Sequence, residues 1–199
     1  MTVAIESMPE FIKDHYEIHE WRHASTVLEH VFTGEWNDVM EILSDFRLLR
    51  SDLAAPGGGK AKMTQKLDKA FYARGWEEKA FDTKFVIDET EFPSPTHQID
   101  CYKNHVALEV EWNNKDPFYD RDLNNFRLLF ELRAVSVGVI VTRTTELLAI
   151  FRELGKDAGR SSTHMEKLLP KIEGGGGGGC PILVFGITPK LYVENGFEG

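Results

Sequence analysis

Apolar residues recur at roughly helical spacing over residues 8–50, first as Phe11, Ile12, Tyr16, Ile18 and Trp21, then as Trp36, Val39, Met40 and Leu43. The pattern predicts a helical N-terminal part over 1–54, broken near Gly34. Pro56-Gly57-Gly58-Gly59 reads as a loop. Residues 62–74 read as a helix with Leu67, Ala70 and Phe71 inward and Gly75 at its end. Phe81 to Val86 fits a strand, and Pro93 and Pro95 interrupt before the next element. Asp116-Pro117 is a helix start, with Leu123, Phe126, Phe130 and Arg133 on one side and Leu129 near them. Val135–Val141 and Pro181–Ile187 are nearly continuous apolar runs, as buried central strands are. Thr145 to Leu154 is a short helix closed by Gly155. Helices, hairpin, helix, strand, helix, strand in that order predict one α/β domain with a mixed central β-sheet flanked by helices. Residues 55–190 form its core. Gly174 to Gly179 reads as a very flexible connection, either a surface loop or a mobile clamp.

The hairpin over Ile99–Trp112 breaks the apolar monotony with acids. Val106, Leu108 and Val110 alternate with Ala107, Glu109 and Glu111. The first set should face the core and the second set the other side. A tight turn would bring Asp100 close to Glu109. Two neighbouring carboxylates repel, and a shared hard cation such as Mg²⁺ relieves the repulsion.

The chain has 199 residues and a formal charge of −9, which argues mildly against a generic nucleic-acid binder. The charge is uneven. Residues 1–50 hold ten acids against four Lys/Arg, whereas residues 151–173 hold five Lys/Arg against four acids. No apolar run is long enough to span a membrane, and the first residues lack a signal-peptide pattern. Two cysteines, Cys101 and Cys180, fit a reduced cytoplasmic protein better than a disulfide framework.

Asp100, eight residues, then Glu109-Val110-Glu111 resembles the active site of the PD-(D/E)XK nucleases, and more narrowly the BglII and BamHI branch of type II restriction endonucleases. Glu111 stands where most of that superfamily has lysine, as in the BamHI type. Ala73-Arg74-Gly75-Trp76 and the two apolar strands extend the likeness over roughly residues 55–190. The resemblance implies a restriction-endonuclease-like core. It implies Mg²⁺-dependent hydrolysis of double-stranded palindromic DNA by a homodimer, in restriction–modification defence, with GATC-core sites among relatives. Asp100, Glu109 and the carbonyl of Val110 would hold the metal. Asp100, Glu109 and Glu111 would be catalytic, with Glu111 orienting or deprotonating water.

Other segments read as DNA contacts beside structural alternatives. Gly57-Gly58-Gly59-Lys60 fails the phosphate-loop pattern because Ala61 follows the lysine. Lys60 and Lys62 then read as phosphate contacts. Asn113, Asn114 and Lys115 can donate to phosphate or base edges, or simply form a polar turn. Arg121 lies in the first turns of the next helix. Arg160, Ser161, Ser162 and Thr163 suit base readout, or a helix cap with Glu166 as the partner of Thr163. Asp68 or Glu77 could add an acid near the metal. His15, His19 and His23 repeat at i, i+4, i+8, but without the further ligands a zinc site requires. The readings from other classes are a non-catalytic DNA-binding module of the same fold and a nuclease for repair or RNA substrates.

Overall fold

The computed structural model describes residues 3–54, 60–93, 96–112, 114–115, 117–156 and 163–194. The chain opens with α1 (Val3–Glu6), α2 (Glu10–His15), β1 (Tyr16–Trp21), α3 (Ala24–Val31), α4 (Thr33–Asp45), β2 (Leu48–Leu49) and α5 (Arg50–Ala54). Next come α6 (Lys62–Tyr72), β3 (Glu77–Lys79), β4 (Lys84–Ile87), β5 (Thr90–Pro93), β6 (Ile99–Lys103) and β7 (Val106–Val110). Then follow α7 (Pro117–Glu131), β8 (Val137–Arg143), α8 (Leu148–Glu153), α9 (Met165–Glu173), β9 (Ile182–Ile187) and β10 (Tyr192–Val193).

Six strands form the central sheet in the order β1-β9-β8-β7-β6-β3. β7, β8 and β9 run parallel, and β1, β6 and β3 pair antiparallel with their neighbours. The mixed sheet flanked by helices matches the expected class. Parallel strands need covered faces, and both are covered. On one face Ile12, Leu28, Leu43, Met63, Leu67 and Phe71 pack against Val106, Leu108, Val139 and Phe185. On the other, Tyr119, Leu123, Phe126 and Leu129 of α7 join Met165 and Leu168 of α9 over Ala107, Ile140 and Val184. α7 lies so close that a Cβ on Gly138 would come within 2.5 Å of the Phe126 ring. All of β7 is therefore buried, including the acid-bearing face.

Three expectations are corrected. Residues 8–50 are not uniformly helical, since Tyr16–Trp21 is an edge strand paired with β9. His15 ends a helix, His19 lies in that strand, and His23 takes a left-handed turn, so the three do not share a helix face. Spacing misleads here because Ile12 and Tyr16 stand four apart and Phe11 and Ile18 seven apart, as on a helix face, while each pair spans two elements. The strand expected from Phe81 to Val86 is Lys84–Ile87, in a separate hairpin with β5.

The glycine run is compact rather than a free clamp. The backbone N–H groups of Gly174, Gly175 and Gly176 donate to the carbonyls of Pro170, Ile172 and Lys171. These bonds satisfy the open carbonyls at the end of α9. Gly178 has φ +58°, and a Cβ there would meet Arg127 Cγ at 2.5 Å. Glycine is required because the turn wraps closely against α7.

The β6–β7 hairpin turns on Asn104 and His105, whose φ values are 44° and 65°. Two consecutive left-handed residues match the right-handed twist of hairpin strands. Asn104 Nδ2 donates to Glu35 Oε1 at 2.7 Å, which ties the turn to α4. Lys103 Nζ donates to Asp38 Oδ2 at 2.8 Å and to the Arg74 carbonyl at 2.9 Å. Trp76 Nε1 also donates to Asp38 Oδ2, at 2.9 Å.

Candidate active site

The other end of the same hairpin carries the acids. Cys101 lies opposite Leu108, which sets Asp100 beside Glu109. The backbone N–H of Asp100 donates to Glu109 Oε2 at 3.2 Å, and that of Val110 donates to Asp100 Oδ2 at 3.0 Å. These reciprocal bonds fix the two side chains at neighbouring positions. Beside Asp100 the pairing with β3 slips: Glu77 lies opposite Tyr102 but Lys79 opposite Ile99, so β6 carries one extra residue. Bulges of this kind re-aim side chains at strand ends.

α6 and α7 add flanking groups. Asp68, buried on α6, accepts from Lys60 Nζ at 2.6 Å, and the same ammonium lies 3.4 Å from Asp100 Oδ1. Tyr72 of α6 donates its hydroxyl to the Asp100 carbonyl at 3.0 Å. From α7 comes Asp122, completely buried next to Glu111. Arg121 donates to Asp122 Oδ1 from Nε at 3.0 Å and from Nη2 at 2.9 Å, and Nη2 lies 3.6 Å from Glu111 Oε1. Asn114 Nδ2 donates to Glu111 Oε2 at 2.7 Å.

Burial governs the electrostatics. It pushes the Glu109 carboxyl well above the usual range, and Asp122 and Asp100 add to the push. Burial, with Asp122 beside it, pushes the Glu111 carboxyl up to about 9. Asp122 and Asp68 are raised too, chiefly by burial. At the rim, partial burial and the Arg121 charge hold the His97 imidazole below its ordinary value.

This donor set fits a hard divalent cation. Asp68 Oδ1 and Glu109 Oε1 are buried oxygens without a hydrogen-bond donor among the described residues. Unsatisfied buried oxygens are costly, and a cation removes the cost. Among the described residues no three His, Cys, Asp or Glu side chains converge as a ready-made metal centre. Mg²⁺ needs fewer, since it keeps its waters and takes one or two carboxylates together with substrate phosphate. Asp100 and Glu109 meet that requirement, with the Val110 carbonyl next in the chain.

The expected DNA contacts fare unevenly. Lys60 is drawn into the acidic site. Lys62 is exposed on the first turn of α6, and Lys115 is exposed ahead of α7. Arg121 and Asn114 both face Glu111. Thr163 is corrected: it is wholly buried, and its backbone N–H donates to the Asn114 carbonyl at 2.9 Å, so its side chain faces the interior. Its expected cap partner Glu166 instead accepts from Thr145 Oγ1 at 2.9 Å. Asn113, Arg160, Ser161 and Ser162 lie outside the described residues. Of the two further acids considered, Asp68 joins the site, whereas Glu77 is exposed beside Lys79.

Asp122 is a site residue that the sequence pattern alone does not single out. A signal is nonetheless present: it occupies the inward stripe of α7 with Tyr119, Phe126 and Leu129, at i, i+3, i+7 and i+10. A carboxylate at such a position requires a buried partner.

A family model described as Restriction endonuclease BglII/BglIII matches residues 16–187, most of the chain, a range that includes the hairpin and α7. No curated protein matches the chain.

Proposed function

Because the chain belongs to the BglII/BglIII restriction endonuclease family, we propose that this restriction endonuclease is of type II and cuts double-stranded DNA at a palindromic site with Mg²⁺. The supporting observation is the Asp100–Glu109 pair, with a buried Glu109 oxygen that no donor among the described residues reaches. Asp100, Glu109 and the Val110 carbonyl would hold Mg²⁺. Bound there, the ion would supply an acidified water and neutralise charge on the phosphate in the transition state.

The chain's own groups do the rest. Glu109 and Asp100 are held by the reciprocal backbone N–H bonds of the hairpin, so their oxygens need little reorganisation when the site is filled. Glu111, fixed by Asn114 and Arg121, orients the attacking water. Its raised pKa makes it a proton acceptor only once the surrounding negative charge is offset. Lys62 and Lys115 are exposed and contact backbone phosphates. Asn113 and the 160–162 segment read the bases. Two copies related by a two-fold axis each cut one strand, mirroring a palindromic site. A GATC core is the first site to try.

The test is incubation with mixed-sequence duplex DNA and Mg²⁺, followed by end mapping. Discrete fragments sharing one palindromic sequence are expected. Salt-sensitive DNA retention without fragments, at any sequence, would show a binding module instead.

A further inference from the structure

Lys60 stands immediately before α6 and reaches into the acidic site. Gln65 Nε2 holds its carbonyl at 2.8 Å, which pins the backbone. The ammonium lies 2.6 Å from Asp68 and 3.4 Å from Asp100, and the side chain remains 39% exposed. A fixed root with a long, part-exposed stem lets the charged tip exchange partners without moving the fold. Asp68 is almost wholly enclosed, with a side-chain exposure of 6%, so a cation has to stay near it.

We propose that Lys60 is a built-in counter-ion, its ammonium bridging Asp68 and Asp100 until a divalent cation takes its place and it turns to a DNA phosphate. The inference rests on the reading of Asp100 and Glu109 as the ion's ligands. An ammonium and a divalent ion compete for the same Asp100 oxygens, so the free protein binds the ion weakly. DNA offers the displaced ammonium a new anionic partner. Ion and DNA therefore strengthen each other's binding, by the same factor in both directions. The device loads the ion where there is a phosphate to cut.

The test uses the full-length protein and Mn²⁺, with free ion followed by electron paramagnetic resonance, with and without duplex DNA. Lys60→Met is expected to tighten Mn²⁺ binding about tenfold without DNA, as expected for removal of one charge-assisted contact. It should also shrink the enhancement that DNA gives. Lys60→Arg, which keeps the charge, should bind as wild type does. In the wild-type protein itself, reductive methylation of Lys60 should accelerate when Ca²⁺ is added, because the ammonium is released. That readout needs no variant to fold. Equal or weaker Mn²⁺ binding by Lys60→Met, with unchanged Lys60 reactivity, overturns the inference while leaving the ligand assignment intact. Wild-type Mn²⁺ binding that survives Glu109→Ala overturns the ligand assignment, and the inference with it.

Discussion

The two ends of one hairpin treat charge in opposite ways. At the turn, Lys103, Arg74 and Trp76 converge on Asp38, and Asn104 meets Glu35. Each buried or half-buried acid there has its donors. At the open end, Glu109, Glu111 and Asp122 are more buried than Asp38; Arg121 pairs with Glu111 and Asp122, and Lys60 stands on the Asp100 side. About five residues of strand separate a closed electrostatic network from an open one. Such uncompensated acids destabilise a fold and persist where a ligand supplies the missing charge. The turn end anchors the hairpin so that the open end can keep its excess.

The sharpest break of this contrast is at Glu109. Glu109→Ala should lower Mg²⁺-dependent cleavage by about 1,000-fold or more while DNA retention persists. Plasmid cleavage and filter binding read the two. Wild-type cleavage by this variant would remove the open end's functional rationale. The same position should report the cost of the acid excess, since Glu109→Gln is expected to raise stability without metal by about 1 kcal/mol in urea unfolding.

At the turn end the sign reverses. Asp38→Ala should destabilise the protein by about 2 kcal/mol, because charge-assisted bonds from Lys103 and Trp76 are lost together. Burial alone would raise the Asp38 carboxyl, but those hydrogen bonds hold it below the usual range. Its stabilisation is therefore present above the unfolded carboxylate pKa and is lost as pH falls through the folded one.

pH separates the ends more finely. Glu111 sits at about 9 when folded against an ordinary value of 4.5, so its favourable neutral form is retained below the lower figure and lost as pH rises through the higher one. Unfolding with a chelator present should show stability declining between those limits. Adding Mg²⁺ should flatten the decline, whereas an unchanged slope would argue that the ion does not bind beside these acids. The smallest effect is expected at the turn itself. His105 has φ 65°, and His105→Gly should gain about 0.5 kcal/mol in urea unfolding by relieving the left-handed strain.

Much of the sheet is legible in the sequence. β8 and β9 announce themselves as apolar runs, and the alternation of Val106–Glu111 with Asp100 upstream marks the acidic hairpin. β1 is not legible, because Tyr16, Ile18 and Trp21 imitate a helical period and only their pairing with β9 makes them a strand. The glycine run misleads for a related reason. Flexibility in a free chain says nothing of whether a neighbour, here α7, leaves room for any other residue.

By itself the sequence determined the acids, their two-residue alternation and their distance from the turn, since these follow from local periodicity. Tertiary structure decided what surrounds them. It set Lys60 between Asp68 and Asp100, placed Asp122 beside Glu111, and turned Thr163 inward. Those groups lie on different elements, and a carboxyl's charge state depends on burial and on neighbours distant in the chain, which no local pattern encodes.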